Sequence, residues 1–310
     1  MRQPDFMIVG APRSGSTYLM ENLLTHPQVF IPTPKGGHST GDLHFFDVGR
    51  KEGRGNYAKG LDWYLSLYSS VEENQIAGEK TADYLADAEA CKLIHEAFGS
   101  IKIVALLRDP VTRAYSHFWH ERHNLGKYNT FPALLSYGKD VGDAKILSSG
   151  LYHDSLQRYQ SIFGVQNVHI IIFEDLHQDP AKELQRLCQF LEIDGRYSFP
   201  LKNAQINKGT TSKKIELLRH IATSLQEYSP HIYDWCRNSF LADEVRNYFG
   251  KQRGTRQYAG ESKDASKKVS IPSLKDNEIS TLRDFYREDV IKLGSLLGRN
   301  MQTCWWHDSK

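Results

Sequence analysis

Hydrophobic positions along the chain follow two different periods, and the way these alternate predicts its architecture. Short continuous apolar runs, closed by glycine or by charge, predict buried strands at 6–9, 102–107 and 168–173, with a weaker strand at 76–80. Between them, apolar residues spaced three and four apart predict helices at 17–25, 57–70, 86–98, 111–123, 151–163 and 182–191. In the second of these, Leu61, Tyr64, Leu65 and Tyr68 share a face. Strands and helices alternating at this length imply a three-layer α/β fold, a central parallel sheet flanked by helices and joined by right-handed crossovers. The last third reads differently: largely helical over 215–249, a polar loop over 250–268, and an amphipathic helix over 282–297 ahead of a Cys304-Trp-Trp-His tail. Without internal repeats, one domain over 1–310 is expected.

Composition narrows the function classes. The 310 residues carry 39 Lys and Arg against 37 Asp and Glu, a net charge of +2, so anion binding has to be local and a general nucleic-acid binder is excluded. Cys91, Cys188, Cys236 and Cys304 are scattered without C-x-x-C or His spacing, which indicates free thiols in a reducing compartment and neither a zinc site nor a disulfide framework. The first strand begins within six residues, leaving no room for a signal peptide. No apolar run approaches the roughly 20 residues that span a bilayer. A cytoplasmic protein with no membrane partner is expected.

The stretch that orders the rest is Gly10-Ala-Pro-Arg-Ser-Gly-Ser-Thr17, a strand-to-helix turn of small residues. Such a turn aims backbone N–H groups and the positive end of a helix dipole at one point, which suits a phosphate or sulfate. Gly10, Gly15 and Thr17 match the nucleotide-binding pattern G-x-x-x-x-G-K-[ST], but Ser16 stands where the lysine belongs and the cation has moved to Arg13. The usual grip on the β- and γ-phosphates of ATP is therefore missing. A second anion site is expected at Leu107-Arg-Asp-Pro-Val-Thr-Arg-Ala-Tyr-Ser116, where Arg108 ends a strand and Ser116 lies in the next helix.

Ala11-Pro-Arg-Ser-Gly-Ser-Thr17 resembles the 5′-phosphosulfate loop of sulfotransferases that use 3′-phosphoadenosine 5′-phosphosulfate (PAPS). The resemblance implies a P-loop-like fold and assigns Pro12, Arg13, Ser14, Gly15, Ser16 and Thr17 to the 5′-phosphosulfate. It assigns Arg108 and Ser116 to the 3′-phosphate, with Lys208 and Gly209 of Asn207-Lys-Gly-Thr210 closing over the same group. Asp42-Leu-His-Phe-Phe-Asp47, Gly60-Leu-Asp-Trp-Tyr64 and Glu79-Lys-Thr-Ala-Asp-Tyr84 are similar to segments of the heparan-sulfate-type, Golgi-type branch, which carry a catalytic acid and a Glu-Lys-[ST] motif. Here Asp42 stands where that branch has glutamate, and the chain is expected to be a soluble bacterial member.

Sulfuryl transfer calls for charge stabilisation at the transferring oxygens, supplied by Arg13 and Lys80, and for a base at the acceptor, Asp42 or His44. No metal is required. Strand alternation through 42–47 would put Asp42 and His44 on one face, with Asp47 on the other. Asp47, His120, His123 and Tyr152 are candidates for the acceptor wall. His117, His120 and His123 share one helix, but the i, i+3 spacing of the last two does not suit zinc. Trp305 and Trp306 are expected to pack the C-terminus onto the body. The acceptor is expected to be a small polar metabolite or sugar, since modest net charge suits a polyanionic glycan poorly. Against this stand a degenerate nucleotide-dependent kinase or NTPase with Glu174-Asp175 as its metal-binding acids, and a non-catalytic anion-binding module.

Overall fold

Five strands make one parallel sheet in the computed structural model, which describes residues 2–32, 42–47, 56–122, 125–140, 145–201 and 271–306. They are β1 (Phe6–Gly10), β2 (Val29–Phe30), β3 (Ile76–Lys80), β4 (Lys102–Leu107) and β5 (Val168–Ile172), in the order β2-β3-β1-β4-β5. Met7 is in register with Glu79 and Ile103, and Leu107 with Ile172. The weakest predicted strand, 76–80, forms in full and places Glu79 and Lys80 in the sheet.

Side-chain alternation along these strands feeds two apolar layers. Met7, Val9, Ile103, Ala105 and Leu107 point to one face, and Phe6, Ile8, Val104, Leu106 and Ile171 to the other. The second face is covered by α1 (Ser16–Leu23) through Leu19, Met20 and Leu23, and by α8 (Pro180–Leu191) through Leu184, Leu187 and Leu191. The first is covered by α2 (Gly60–Ser66), α3 (Ala88–Phe98), α4 (Pro110–Glu121), α5 (Phe131–Tyr137), α6 (His153–Phe163) and α9 (Asp276–Leu297). In α9 the apolar stripe is Leu282, Tyr286, Val290 and Leu293. Two short helices complete the set, α7 (Phe173–Gln178) and α10 (Met301–Trp305).

Caps account for where several helices begin. Asp109 accepts from the amides of Val111 and Thr112, so α4 starts at Pro110. Asp87 and Asp179 cap α3 and α8 in the same way. At α9 the Glu278 carboxylate bonds back to the Lys275 amide at 2.8 Å, and the helix starts six residues before the apolar stripe alone indicates.

Residues 42–47 do not form the expected strand. His44 sits in the left-handed region at φ 48°, which turns the chain and cancels the alternation, so His44 and Asp47 meet instead of facing apart. Backbone contacts divide the chain into two compact units, Met1–Ala204 with Ser273–Lys310, and Gln205–Pro272. The helices expected at 215–249, the loop at 250–268 and Cys236 lie outside the described residues. Among the described residues no helix is long and apolar enough to cross a membrane.

At Gly78, opposite Phe6 in the sheet, an added Cβ would overlap the Phe6 ring. Gly78→Ala is expected to destabilise the protein by about 1–3 kcal/mol through overpacking, seen as a lower urea midpoint at unchanged m-value. An unshifted midpoint would show that the sheet relaxes around the methyl.

Candidate active site

β1 has β3 on one side and β4 on the other, so the loops leaving the carboxyl ends of β1 and β4 part in opposite directions and open a crevice. The first loop is shaped by its glycines. Gly10 has φ 150° and a Cβ there would overlap the Ala82 carbonyl; Gly15 has φ 93° and a Cβ there would meet the Phe173 ring at 3.0 Å. Ala11 N donates to Leu106 O at 2.6 Å and Ser14 N to Ala11 O at 3.2 Å, which folds Pro12 and Arg13 into a tight turn. Gly15 is the N-cap of α1 and provides no side-chain cap, while Ser16 and Thr17 lie in the first turn, where amides lack intrahelical partners.

Two arginines meet on the rim. Arg13, at φ 67°, donates from Nε to Ser116 Oγ at 3.3 Å, and Arg108 Nη1 donates to the Arg13 carbonyl at 3.2 Å. The Arg108 guanidinium lies 4.8 Å from the centre of the Phe173 ring. Burial holds both guanidinium groups below their usual range, opposed at Arg108 by Glu174 and Asp109 and at Arg13 by Glu121. Among the described residues, Ser14 Oγ and Arg108 Nε are buried without a hydrogen-bond partner. Two desolvated cations beside a turn of amides, with polar atoms left over, are an arrangement that could receive a multiply charged anion.

Support from behind is dense. Asp109 caps α4 rather than pairing with Arg108, its amide donates to Glu174 Oε1 at 3.1 Å, and it accepts from Trp306 Nε1 at 3.0 Å. Trp305 Nε1 donates to Glu174 Oε2 at 2.9 Å. Both indoles thus brace the Arg108 corner. Tyr152 is fully buried and donates to the Arg108 carbonyl at 2.8 Å, which corrects its placement on the acceptor wall.

Across the crevice, Lys80 ends β3 only 3% exposed and donates to Asp42 Oδ1 at 2.9 Å; the Ala82 amide donates to the same oxygen at 2.9 Å. Burial pushes the Asp42 carboxyl up, but Lys80, His44 and the Ala82 amide outweigh it and hold Asp42 below its usual range. His44 Nδ1 bonds Asp47 Oδ2 at 2.7 Å. Burial disfavours its imidazolium, yet the bond and charge of Asp47, with Asp42 and Asp83 behind, raise it to about 9. Burial likewise raises the Asp83 carboxyl to about 6. Ligand atoms of His44, Asp47 and Asp83 lie within 4.8 Å of one another, a donor set that could hold a cation. His120 feels the charges of Arg13 and Asp42 and so borders the same space, while His117 is buried against Arg113 Nη1 at 3.1 Å. Asp47, 2% exposed, orients His44 rather than lining an acceptor wall.

His123, Lys208 and Gly209 lie outside the described residues. Sequence reasoning missed Phe173, which touches both Gly15 and Arg108; an apolar residue closing a strand carries no signal that separates it from core.

A glycine-turned strand-to-helix loop at the switch point of a parallel sheet, with flanking helices on both faces, defines a P-loop-like α/β fold. Within that class the chain belongs to the sulfotransferase family, whose domain model matches residues 3–213. It is 24% identical over 309 residues to mouse bifunctional heparan sulfate N-deacetylase/N-sulfotransferase 4, a match covering 96% of this chain and 30% of that protein. It is 29% identical over 209 residues to mouse heparan sulfate glucosamine 3-O-sulfotransferase 5, covering 63% and 55%. The chain therefore spans about a third to a half of the length of these relatives. A crystal structure of a sulfotransferase from Alicyclobacillus acidocaldarius shares the fold at 21% identity, with TM-score 0.62 over 96% of this chain and 97% of that one.

Because Asp47 lifts His44 above its unfolded value of about 6.5, this pair stabilises the fold fully below that pH and loses its contribution as pH rises through about 9. An imidazole NMR titration is expected to place His44 near 9 and Asp47→Asn to return it toward the ordinary range. A wild-type midpoint near 6.5 would mean the pair does not persist in solution.

Proposed function

We propose that the chain moves a sulfuryl group from PAPS to a hydroxyl or amine of a small polar acceptor, by in-line displacement. The observation that carries this reading is the Arg13–Ser116–Arg108 cluster joined to the glycine-turned loop, since it provides two adjoining anion sites without a P-loop lysine. PAPS, the bound donor, would supply an activated sulfuryl group on a nucleotide leaving group. The unpartnered Ser14 Oγ and Arg108 Nε fit a ligand with anionic groups at both places. In this reading the amides of 14–17, with the Ser14, Ser16 and Thr17 hydroxyls, hold the 5′-phosphosulfate, and Pro12 sets the loop. Arg108 and Ser116 hold the 3′-phosphate.

Arg13 and Lys80 neutralise charge on the transferring oxygens. Asp42 is the base: it is ionised at neutral pH, whereas His44 keeps its proton up to about 9 and is not free to accept another. Lys80 and Ala82 both bond Oδ1 of Asp42, so the acceptor proton goes to Oδ2. His44, held by Asp47, and His120 orient the acceptor. No metal is needed for these roles. The kinase reading loses its acids, because Glu174 is committed to Asp109 and Trp305, and Asp175 to Arg299. Net charge +2 favours a small metabolite or sugar over a long polyanionic glycan. Buried free Cys91 and Cys188 suit a reducing cytoplasm, where the enzyme would serve secondary metabolism as one sulfotransferase domain over 1–310.

Calorimetry is expected to show binding of adenosine 3′,5′-bisphosphate and none of ATP with magnesium; the reverse would restore the kinase reading. Arg108→Ala should weaken bisphosphate more than Ser116→Ala, a charge-assisted contact being the stronger, and both should spare adenosine 5′-phosphosulfate, which lacks the 3′-phosphate. Equal losses for both nucleotides would remove these residues from the 3′-phosphate site.

In an acceptor screen with labelled PAPS, Arg13→Ala should lower turnover about 10²- to 10³-fold. Asp42→Asn should lower it about 10²- to 10⁴-fold with bisphosphate affinity intact, and His44→Ala less. With Asp42 below its usual range, the rate should be level from about pH 6 upward until His44 deprotonates near 9. A rate controlled by a group near 6.5 and lost in His44→Ala would transfer the role of base to His44.

A further inference from the structure

Loop 42–47 has almost no regular structure of its own, yet four consecutive amides in it are all bonded to two hydroxyls. Leu43 N and His44 N donate to Thr81 Oγ1 at 3.1 and 3.3 Å; Phe45 N and Phe46 N donate to the Tyr84 hydroxyl at 3.0 and 3.2 Å. Each hydroxyl has one proton and two lone pairs. With both lone pairs given to amides, each proton is left for a single acceptor, and both go to one atom: Glu79 Oε1, at 2.8 Å from Thr81 and 2.7 Å from Tyr84. The other Glu79 oxygen accepts from Tyr64, which in turn accepts from Tyr68 at 2.9 Å. Glu79 and Thr81 have no exposed surface, and nothing in the chemistry of transfer uses either of them.

An isolated buried carboxylate is costly, and one that merely filled space would be replaced by an apolar side chain without loss. Glu79 does something an apolar residue cannot: its Oε1 accepts from both hydroxyls at once and, in the ionised form with no proton to give, turns their lone pairs toward the loop. It also precedes Lys80 in β3, so the element that carries the sulfonate lysine also fixes the loop that carries Asp42, whose own carboxylate closes the circuit on Lys80 and Ala82.

Resting on the sulfotransferase reading, we infer that Glu79 is the positioning residue of the reaction, acting through Thr81 and Tyr84 to set Asp42 and His44 against Lys80. It touches no reacting atom. Its loss frees the 43–46 backbone, and displacement of a reacting group by about 1 Å typically lowers a rate on the order of 10²-fold.

Thr81 provides the cleanest test, because valine keeps its shape and serine keeps its hydroxyl. Amide hydrogen exchange is followed over 42–47 at pH 8, above the value of about 7 to which burial, opposed by its three hydroxyl partners, brings Glu79. Thr81→Val and Glu79→Leu are expected to raise exchange of the 43–46 amides about tenfold or more. Both should lower kcat with labelled PAPS about 10- to 100-fold while bisphosphate affinity stays within about twofold of wild type. Thr81→Ser should restore protection and most of the rate. If packing were what matters, serine would be the worse variant and valine the better, which overturns the proposal. So does wild-type protection of 43–46 in Thr81→Val, or a loss of bisphosphate affinity parallel to the loss of rate. Should Glu79→Leu not fold, the two Thr81 variants decide alone. A wild-type chain that binds no bisphosphate overturns the sulfotransferase reading instead, and the exchange measurement still reports on the clamp.

Discussion

The end of β1 is the point from which both halves of the site hang. Within a few residues its backbone gives Ile8 O to the Thr81 amide at 3.0 Å, Val9 O to the Leu85 amide at 2.7 Å, and the Ala11 amide to Leu106 O at 2.6 Å. One side thereby fixes the segment with Lys80 and Ala82, and the other fixes the strand that leads into Arg108. Gly10 lies between them against the Ala82 carbonyl, where any side chain would push the two apart. The loop over 10–17, the Lys80–Asp42 pair and the Arg108 corner are therefore set by three backbone bonds and one missing Cβ, before any charged group is considered.

Electrostatics then works on groups that the fold has already desolvated. Lys80–Asp42 is a part-buried pair, the lysine 3% and the carboxylate 26% exposed, and such pairs are weak stabilisers overall because desolvation offsets their attraction. Its consequence lies in protonation: the lysine, with His44 and the Ala82 amide, holds the carboxylate below its usual range against the pull of burial. The two arginines oppose each other at close range and are desolvated, which an incoming polyanion would relieve. His44–Asp47 works in the opposite sense to a free histidine, since it keeps its proton across the neutral range.

Much of this was legible in the chain. β1, β4 and β5 appeared as apolar runs because a parallel strand covered on both faces has to be apolar throughout, and the longer helices appeared through their three-and-four spacing. The two-residue β2 and the short helices α5, α7 and α10, by contrast, carry too few residues to show a period. The strand-to-helix loop over 10–17 showed itself because few residue types tolerate its backbone: Gly10 and Gly15 occupy angles that a side chain resists. Arg108 and Ser116 were legible as the end of a strand and the next helix, positions that a parallel sheet brings to one edge. Those readings depend on local backbone preference and on burial, which act over a few residues and leave their trace in sequence.

What the sequence could not supply was every contact that depends on distant segments meeting. Alternation misplaced His44 and Asp47 because a single left-handed residue, His44, bonded like its neighbour Leu43 to Thr81 on a distant strand end, reverses the chain there. Tyr152 read as a polar aromatic for an acceptor wall, but its hydroxyl is spent on the Arg108 carbonyl, 44 residues away. Phe173 and Trp306 read as core, and only the folded chain shows that one lies against Arg108 and the other is bonded to Asp109. Composition and periodicity determined which residues are buried and which elements they form; tertiary structure decided which polar atoms those buried residues satisfy, because a hydrogen bond depends on position and angle and its partner leaves no mark in the sequence around it.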